Sequence, residues 1–198
     1  IQLDSAHPGI VGAQNGSRIE KKDSGEIVYG QSGHAAAGKL EYNALRTPRG
    51  GQYAVVLSDG SKVWLNAASA LRYPAVFTAS ERTVELEGEA YFEVANKKDA
   101  PFRVLVKGKP DVLVLGTRFN IMAYPDEPYV STTLLEGSIK TGSRILKPGQ
   151  QAQAADSQSM IRVLNNVDVA SITAWKNGKT SFEDASIQEI MRAISRWY

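Results

Sequence analysis

Four glutamates, all at odd-numbered positions of one short stretch, are the residues that most resemble a catalytic site. Glu85, Glu87, Glu89 and Glu93 would share one face of an extended chain, because strand side chains alternate between two faces. Two carboxylates across a cleft can serve as acid and base in glycoside hydrolysis. On a single strand, however, such alternating glutamates are more typical of a solvated outer face than of an active site. We favour the solvated face. Glu89 differs, because it follows a glycine where a strand begins and could accept backbone amide bonds.

Other reactive groups in the sequence do not converge on a site. His7 and His34 both lie in loop-like N-terminal stretches, which favours solvated histidines over metal ligands. Asp59 precedes Gly60 without the alternating oxygen ligands of a calcium loop, so it is typical of a turn. No serine lies in a Gly-x-Ser-x-Gly frame, and residues 115–118 lack the lysine of a phosphate-binding loop. We therefore expect no enzyme, no bound metal and no cofactor.

The composition is that of an ordinary soluble globular protein of 198 residues, 42% hydrophobic and 22% charged. Its 23 basic and 21 acidic side chains are scattered and give a net charge of +2, which offers no basic patch for nucleic acid. No apolar run approaches the roughly 20 residues that span a bilayer. The absence of cysteine excludes disulfides and thiolate chemistry, and it is compatible with an oxidising compartment.

Short period-two stretches separated by turn residues predict a mainly β fold. The clearest pair, Tyr53–Leu57 and Lys62–Asn66, flanks Ser58–Ser61, whose Asp-Gly dipeptide is typical of a hairpin turn. The same alternation predicts further strands over 18–22, 26–29, 82–86, 89–95, 101–106, 109–115, 118–124, 129–135, 138–141, 150–154 and 160–164. So many half-apolar strands are buried in a sandwich or closed barrel, and we expect an antiparallel, jelly-roll-like β-sandwich.

The character of the sequence changes near its C-terminal end. Ser186 and Glu189 have the spacing of a capping box, which marks the start of a helix. The apolar residues of this stretch recur at helical spacing: Ile187, Ile190, Met191, Ile194 and Tyr198. Together with the strand-like stretch 179–182, this helix has the form of the first β-α unit of a small α/β domain.

The expected organisation is a β domain over 1–168 and the truncated start of a second small α/β domain over 169–198. Within the first, residues 1–42 form an N-terminal extension that contains a hairpin over 18–29. The chain begins without a methionine and stops inside an amphipathic pattern, so we expect it to be part of a longer protein.

Aromatic residues remain as candidates for recognition. Trp64 is flanked by Val63 and Leu65, and we expect its ring to lie in the core. Exposed aromatic rings can instead stack on sugars or anchor a protein partner. The candidates for partner contact lie in the C-terminal part of the chain: Trp175, Phe182, Trp197 and Tyr198.

A series of short motifs resembles the FecR family of anti-sigma factors and sigma regulators, in its Bacteroidetes form. The motifs lie between residues 43 and 153 and include LSDGSKVWLN at 57–66, EGEAYFEV at 87–94, VLGTRFN at 114–120 and TLLEGS at 133–138. The residues that carry the resemblance, which we expect to be structural, are Asp59, Gly60, Trp64, Asn66, Gly88, Glu89, Phe92, Gly116, Thr117, Phe119 and Gly137. The stretch from Trp175 to Tyr198 resembles the start of the small domain that follows in this family.

The resemblance implies a periplasmic signalling segment at the inner membrane. Family members have a cytoplasmic part that holds an extracytoplasmic-function sigma factor, one membrane helix, and this region outside. The signalling domain of a TonB-dependent outer-membrane transporter contacts the periplasmic part. We therefore expect this stretch to lie outside the sigma-binding segment and the membrane helix, and to include only the start of the contact domain. The alternatives are a glycan-binding β-sandwich module, suggested by the aromatic residues, and an enzyme built on the glutamates.

Overall fold

The computed structural model describes residues 9–14, 17–22, 27–29, 41–78, 80–157, 160–182 and 185–198. Within these ranges the chain forms sixteen strands and three short helical elements, which confirms the mainly β prediction. The strands are β1 Gly9–Gln14, β2 Ser17–Lys21, β3 Ile27–Tyr29, β4 Tyr42–Arg46, β5 Tyr53–Val56, β6 Lys62–Leu65, β7 Ala70–Pro74, β8 Arg82–Glu93, β9 Phe102–Leu105, β10 Val112–Val114, β11 Arg118–Ala123, β12 Val130–Glu136, β13 Ile139–Thr141, β14 Arg144–Leu146, β15 Gln151–Ala154 and β16 Arg162–Leu164. The helical elements are α1 Val169–Thr173, a 3₁₀ helix Ala174–Asn177 and α2 Ile187–Ser195.

One strand, β8, connects two parts of an open, mixed sheet. The long sheet has the strand order β1-β2-β3-β5-β6-β8-β11-β12-β15-β16, and the short sheet has the order β4-β7-β8-β9-β10-β13-β14. The first half of β8 pairs with β7 and β9, and its second half with β6 and β11. Most strand pairs are antiparallel, as expected, and two pairs, β3 with β5 and β8 with β9, run parallel.

The two sheets share one apolar core. Phe92 on β8 stacks on Phe119 of β11, with ring centroids 4.8 Å apart and planes 8° from parallel. The same Phe92 ring meets Phe102 of the short sheet edge-on at 6.3 Å. All three rings are fully buried and belong to a single cluster that includes Val63, Leu65 and other inward residues. The second half of β8 thus presents to the core the side chains that hold the sheets together.

Gly88 lies where β8 passes from the short sheet to the long one. Its φ of 86° is a left-handed conformation that residues with a side chain rarely adopt. A Cβ atom at this position would lie 2.4 Å from Oγ and 2.7 Å from Cα of Ser69. The Ser69 hydroxyl occupies this space because it accepts a hydrogen bond from the Glu89 amide at 2.8 Å. The bend in β8 therefore requires glycine.

Arg82, at the start of β8, forms a buried ion pair with Asp59 at the tip of the β5–β6 hairpin. The Nη1 and Oδ2 atoms are 2.7 Å apart, and the two side chains are 1% and 2% exposed. The guanidinium also donates to the carbonyls of Ala95, Ala100 and Leu115 at 2.8, 2.8 and 3.3 Å. A straight strand of this length would span about 40 Å. Because Arg82 reaches a carbonyl beyond the other end of β8, the strand must curl around the core.

The strand predictions differ from the structure mainly at short elements. Strands β4, β7 and β14, and β1 in the N-terminal extension, were not expected, and the stretch 179–182 is irregular instead of a strand. Strand β10 is shorter than the expected 109–115, because Lys109 closes a turn onto Val106 and Pro110 has no amide to donate. The N-terminal hairpin is confirmed as β2 with β3, and the capping box at α2 is also confirmed. His7 and His34 lie outside the described residues.

We expect Gly88→Ala to lower the free energy of unfolding by about 3 kcal/mol, since left-handed strain and overlap with Ser69 add together. Gly60→Ala is the matched control, because Gly60 has a similar φ of 88° but no heavy atom within 4 Å of an added Cβ. That variant should lose only about 1 kcal/mol. Urea unfolding followed by circular dichroism measures both. Equal losses for the two variants would contradict a steric requirement at the bend.

We expect Asp59→Ala to cost about 4 kcal/mol of unfolding free energy, because it leaves the Arg82 charge buried without a carboxylate. The control removes a carboxylate from the exposed ion pair between Arg72 and Glu85, whose side chains are 47% and 49% exposed. Glu85→Ala should cost less than about 1 kcal/mol. Urea unfolding measures both losses. A loss below about 1 kcal/mol for Asp59→Ala would show that the Asp59 carboxylate stabilises only the hairpin turn and that its ion pair with Arg82 contributes little.

Candidate functional site

The C-terminal segment, residues 169–198, lies against the outer face of the long sheet. This face carries the side chains that alternate with the core residues, and one row runs across neighbouring strands through Trp64, Tyr91, Asn120, Thr133 and Gln151. The side chains of this row are polar or aromatic, whereas those on the opposite face of the sheet are apolar. Because four of these five side chains are buried although they point away from the core, the C-terminal segment must cover them.

Trp175 in the 3₁₀ helix is the central contact of the C-terminal segment. Its side chain is 6% exposed, and its Nε1 donates to Oδ1 of Asn120 at 3.2 Å. The side chain of Gln52 donates to the Trp175 carbonyl at 2.8 Å. Further along, the Gly50 amide donates to the carbonyl of Arg196 at 3.0 Å, which fixes the end of α2. The segment is thus held at two separate points of the β domain.

Glu89 is buried beneath this segment and accepts two hydrogen bonds from side-chain amides. Asn66 donates to Oε2 at 2.8 Å, and Asn120 donates to Oε1 at 2.9 Å. Both asparagines can present only their NH₂ groups, because the Asn66 oxygen accepts from the Ala67 amide at 2.8 Å and the Asn120 oxygen accepts from Trp175. Glu89 was expected to accept hydrogen bonds from backbone amides. It does accept hydrogen bonds, but the donors are side-chain amides.

Burial raises the pKa of Glu89 above its ordinary value, since the carboxylate loses hydration. The amide donors of Asn120 and Asn66, and the positive charge of Arg196, act in the opposite direction without cancelling this effect. Burial, reinforced by the Glu89 charge, also raises the pKa of the neighbouring Tyr124. The site therefore holds a carboxyl group whose ionisation costs free energy in the folded protein.

Arg196 fastens the C-terminal end of α2 to the turn between β11 and β12. Its Nη2 lies 2.9 Å from Asp126 and 2.6 Å from Glu127. Arg192, one turn earlier, also pairs with Glu127 at 3.1 Å. The Arg196 guanidinium lies over the Tyr124 ring at 3.8 Å from its centroid. These ion pairs were not predicted, because the sequence gives no sign that α2 ends beside the β11–β12 turn.

Lys176 holds the opposite edge of the segment against two aromatic rings. Its Nζ lies 4.7 Å from the ring centroid of Trp64 and 4.3 Å from that of Tyr91. The same ammonium is 3.9 Å from a carboxylate oxygen of Glu93. Trp64 is only half-buried and lies on the outer face, so the prediction that its ring belongs to the core is wrong. The ring instead forms part of the surface that receives the C-terminal segment.

A cavity of about 290 Å³ remains between the long sheet and the C-terminal segment, and we call it the junction cavity. Its floor consists of outer-face residues of the sheet, and its roof of residues from the segment. The lining residues are Asn66, Glu89, Asn120, Met122, Tyr124, Ser131, Thr133, Gln151, Gln153, Ser171, Ile172, Trp175, Lys179, Thr180, Ser181, Ala193, Arg196 and Trp197. Glu89 is the single carboxylate among these described residues, so the cavity lacks the carboxylate pair that glycoside hydrolysis requires.

One face of α2 and the residues beside it form an exposed apolar stripe. Its members, with their exposed fractions, are Ile187 at 63%, Met191 at 56%, Ile194 at 40% and Tyr198 at 97%. Such an exposed stripe is typical of a surface that contacts another protein. Of the aromatic residues predicted to contact a partner, Tyr198 lies in this stripe, and Phe182, which precedes the helix, is 42% exposed. Trp175 is buried against the sheet, and Trp197 is half-buried beside the cavity.

The remaining residues of the sequence motifs lie away from the cavity and have packing roles. A Cβ atom on Gly116 would lie 2.6 Å from Cα of Asn96, and one on Gly137 would lie 2.9 Å from the Gly116 carbonyl. The Thr117 hydroxyl donates to the carbonyl of Ser138 at 3.1 Å. These contacts join the loops that follow β8, β10 and β12. Within the described part of the chain, no cluster of three or more potential ligands could hold a metal ion.

Comparison with known proteins identifies relatives of this chain. The sequence profile of the FecR protein family matches residues 43–140. Two crystal structures, each described as a "putative anti-sigma factor" from Parabacteroides distasonis, are 31% identical in sequence. The first covers 80% of this chain and 75% of its own, with a TM-score of 0.72, and the second covers 79% and 74%, with a TM-score of 0.71. A search of curated proteins gives no match. No helix in the described ranges is long and apolar enough to cross a membrane.

We expect Glu89→Gln to change the pH dependence of stability. A carboxyl group with a raised pKa in the folded state stabilises the protein below its unfolded pKa, near 4.5, and this contribution is lost as pH rises through the folded pKa. The parent should therefore lose stability relative to Glu89→Gln as the pH increases from 4 to 8. Glu87→Gln, at an exposed position of the same strand, corrects for the change in net charge. Urea unfolding across this pH range gives the comparison, and a constant difference would contradict it.

Proposed function

Because the chain belongs to the FecR family of anti-sigma factors, we propose that it is the periplasmic part of a membrane-anchored regulator. In this role it relays a signal from a TonB-dependent outer-membrane transporter to an extracytoplasmic-function sigma factor. The family is regulatory and not enzymatic, and control of a sigma factor follows from membership. The transporter, the periplasmic location and the membrane anchor are the parts that we add.

The exposed apolar stripe of α2 is the observation that supports a protein partner. Met191 and Ile187 are more than half exposed, although hydrophobic residues on a helix are normally turned towards a core. The opposite side of the helix is fixed to the β domain through Arg192 and Arg196. The stripe is therefore presented outward on a helix whose orientation is fixed. A rigid, outward apolar face suits contact with a folded domain, and we assign it to the signalling domain of the transporter.

The contacts behind α2 support a relay. Arg196 touches Glu127 and Tyr124, which lie at the turn after β11, and Tyr124 donates a hydrogen bond to the carbonyl of Ala67 at 2.7 Å. Trp175 reaches Glu89 through Asn120. A partner that pulls or rotates α2 would thus act directly on the Arg196 contacts. Trp175, in the 3₁₀ helix of the same segment, provides a separate polar connection to the long sheet. Because these contacts are hydrogen bonds and ion pairs, they can exchange with water at lower cost than an apolar core.

We expect Met191→Asp to weaken binding of the isolated signalling domain of the cognate TonB-dependent transporter by at least about tenfold, because it places a charge in the apolar contact. Gln188→Asp introduces the same side chain at an exposed polar position of α2 and should bind like the parent. Calorimetry with the purified chain measures both affinities, and circular dichroism confirms that each variant is folded.

Two results would count against the proposal. Equal affinities for Met191→Asp and the parent would remove the α2 stripe as the contact surface. An absence of binding by the parent, with a signalling domain that is itself folded, would contradict the transporter as the partner. The sigma-regulating role of the family is independent of both results.

A further inference from the structure

The junction cavity has the size and the enclosure of a small binding site. Its volume of about 290 Å³ is near the lower end of the range for ligand pockets, about 300 Å³ and above. About ten water molecules, each at about 30 Å³, or one ring-sized organic molecule would fill this space. The floor is rigid sheet, and the roof is a segment held by Arg196 and Trp175. The cavity thus lies between a sheet surface and a segment that is held over it, and it is partly open to solvent.

Neutral hydrogen-bonding groups dominate the lining of the cavity. Asn120, Thr133 and Gln151 lie side by side on three neighbouring strands, and Ser131 and Gln153 form part of the next row. The roof adds three hydroxyl groups, from Ser171, Thr180 and Ser181. Several of these groups already bond within the protein: Gln151 donates to Thr133 at 2.8 Å, and Gln153 donates to Gln151 at 3.0 Å. Asn120 donates to Glu89 and accepts from Trp175. An amide has two donor and two acceptor positions and a hydroxyl can both donate and accept, so capacity remains for a molecule that carries several hydroxyl groups.

The charged groups in the cavity interior are already bonded within the protein, with one donor left over. Glu89 accepts from two asparagines, and Arg196 pairs with Asp126 and Glu127 through Nη2. The Nε of Arg196 is buried without a hydrogen-bond partner among the described residues, so it offers one donor to a neutral acceptor. Lys179 is the remaining cation of the described lining, and it is exposed at the edge. A charged ligand would therefore lose hydration in the cavity without meeting an unpaired group of opposite charge in its interior. The electrostatics favour an uncharged ligand.

Two tryptophans complete the lining. Both Trp175 and Trp197 belong to the C-terminal segment. A pyranose ring has hydroxyl groups around its edge and apolar C–H groups on its faces, and aromatic rings provide the matching flat surface. We propose that the junction cavity binds one neutral monosaccharide, with its hydroxyl groups on Asn120, Thr133 and Gln151 and a face towards the indoles.

Binding at this place would also join the two parts of the protein. The ligand would contact the sheet and the C-terminal segment at once, and it would therefore bind only the docked arrangement of the segment. By mass action such a ligand stabilises the docked state. The site consequently gives the protein an input from a small molecule in addition to the protein contact at α2, and the two are separable because the α2 stripe lies outside the cavity.

The test is calorimetric titration of the purified chain with four neutral sugars, D-glucose, D-galactose, D-mannose and N-acetyl-D-glucosamine, and with D-glucuronate and D-glucosamine as charged comparators. We expect saturable binding of at least one neutral sugar and none of the charged ones. Gln153→Ala removes one lining amide and should weaken that binding about tenfold, the effect of one lost hydrogen bond. Ser131→Leu fills part of the cavity and should abolish it.

Gln150→Ala is the matched control, because the Gln150 side chain bonds Lys147 and Asn165 away from the cavity. It should bind like the parent. Hydrogen exchange supplies a second measurement, since the bound sugar should slow amide exchange in residues 169–197. The proposal is overturned if no neutral sugar binds, if the charged sugars bind as well as the neutral ones, or if binding is unchanged in both cavity variants. If Ser131→Leu does not fold, the sugar affinity of Gln153→Ala, compared with those of the parent and Gln150→Ala, tests the proposal.

Discussion

The architecture depends on one backbone constraint, the left-handed conformation of Gly88 in the middle of β8. A side chain at this position would displace Ser69 and strain the backbone where the strand passes from one sheet to the other. The bend lets the first half of β8 pair with β7 and β9 and its second half pair with β6 and β11. It also brings the two ends of the strand close together, so that the Arg82 guanidinium can bond carbonyls near both ends. A single residue without a side chain thus makes a shared core possible.

Local features of the fold were predictable from the sequence, and non-local ones were not. The β5–β6 hairpin and α2 have complete local signals in an Asp-Gly turn and a capping box, and both are present. Strand β7 was missed because it ends in Pro74 and carries an outward Arg72 among only five residues. The parallel pairing of β8 with β9 depends on the bend at Gly88, and no local pattern reports which distant strands a bend will join. Trp64 shows a different error. The alternation that turns its two neighbours inward puts its own ring on the outer face.

The candidate site was predictable only in part. Glu89 was distinguished from the other glutamates by its place after Gly88, yet its partners Asn66 and Asn120 are 23 and 31 positions away in the sequence. Asn120 lies inside a recognised motif, but asparagine on a strand gives no sign of which face it occupies or what covers it. The covering segment was expected to belong to a separate small domain. Its contacts through Trp175 and Arg196 arise from tertiary docking, which periodicity and turn signals do not encode.

The chemistry of the junction differs from that of the core, and the difference bears on signalling. Between the sheets, the rings of Phe92, Phe102 and Phe119 form a fully buried apolar contact. Between the long sheet and the C-terminal segment, the contacts are amide hydrogen bonds, ion pairs and a partly filled polar cavity. Polar groups of this kind can exchange partners with water, so this junction costs less free energy to open than the apolar core does. The relay that we propose would use this boundary, because a partner shifts a conformational equilibrium only through different affinities for the two arrangements. Ionisation of the buried Glu89 carboxyl weakens the junction, since burial raises its pKa, while its amide partners act in the opposite direction.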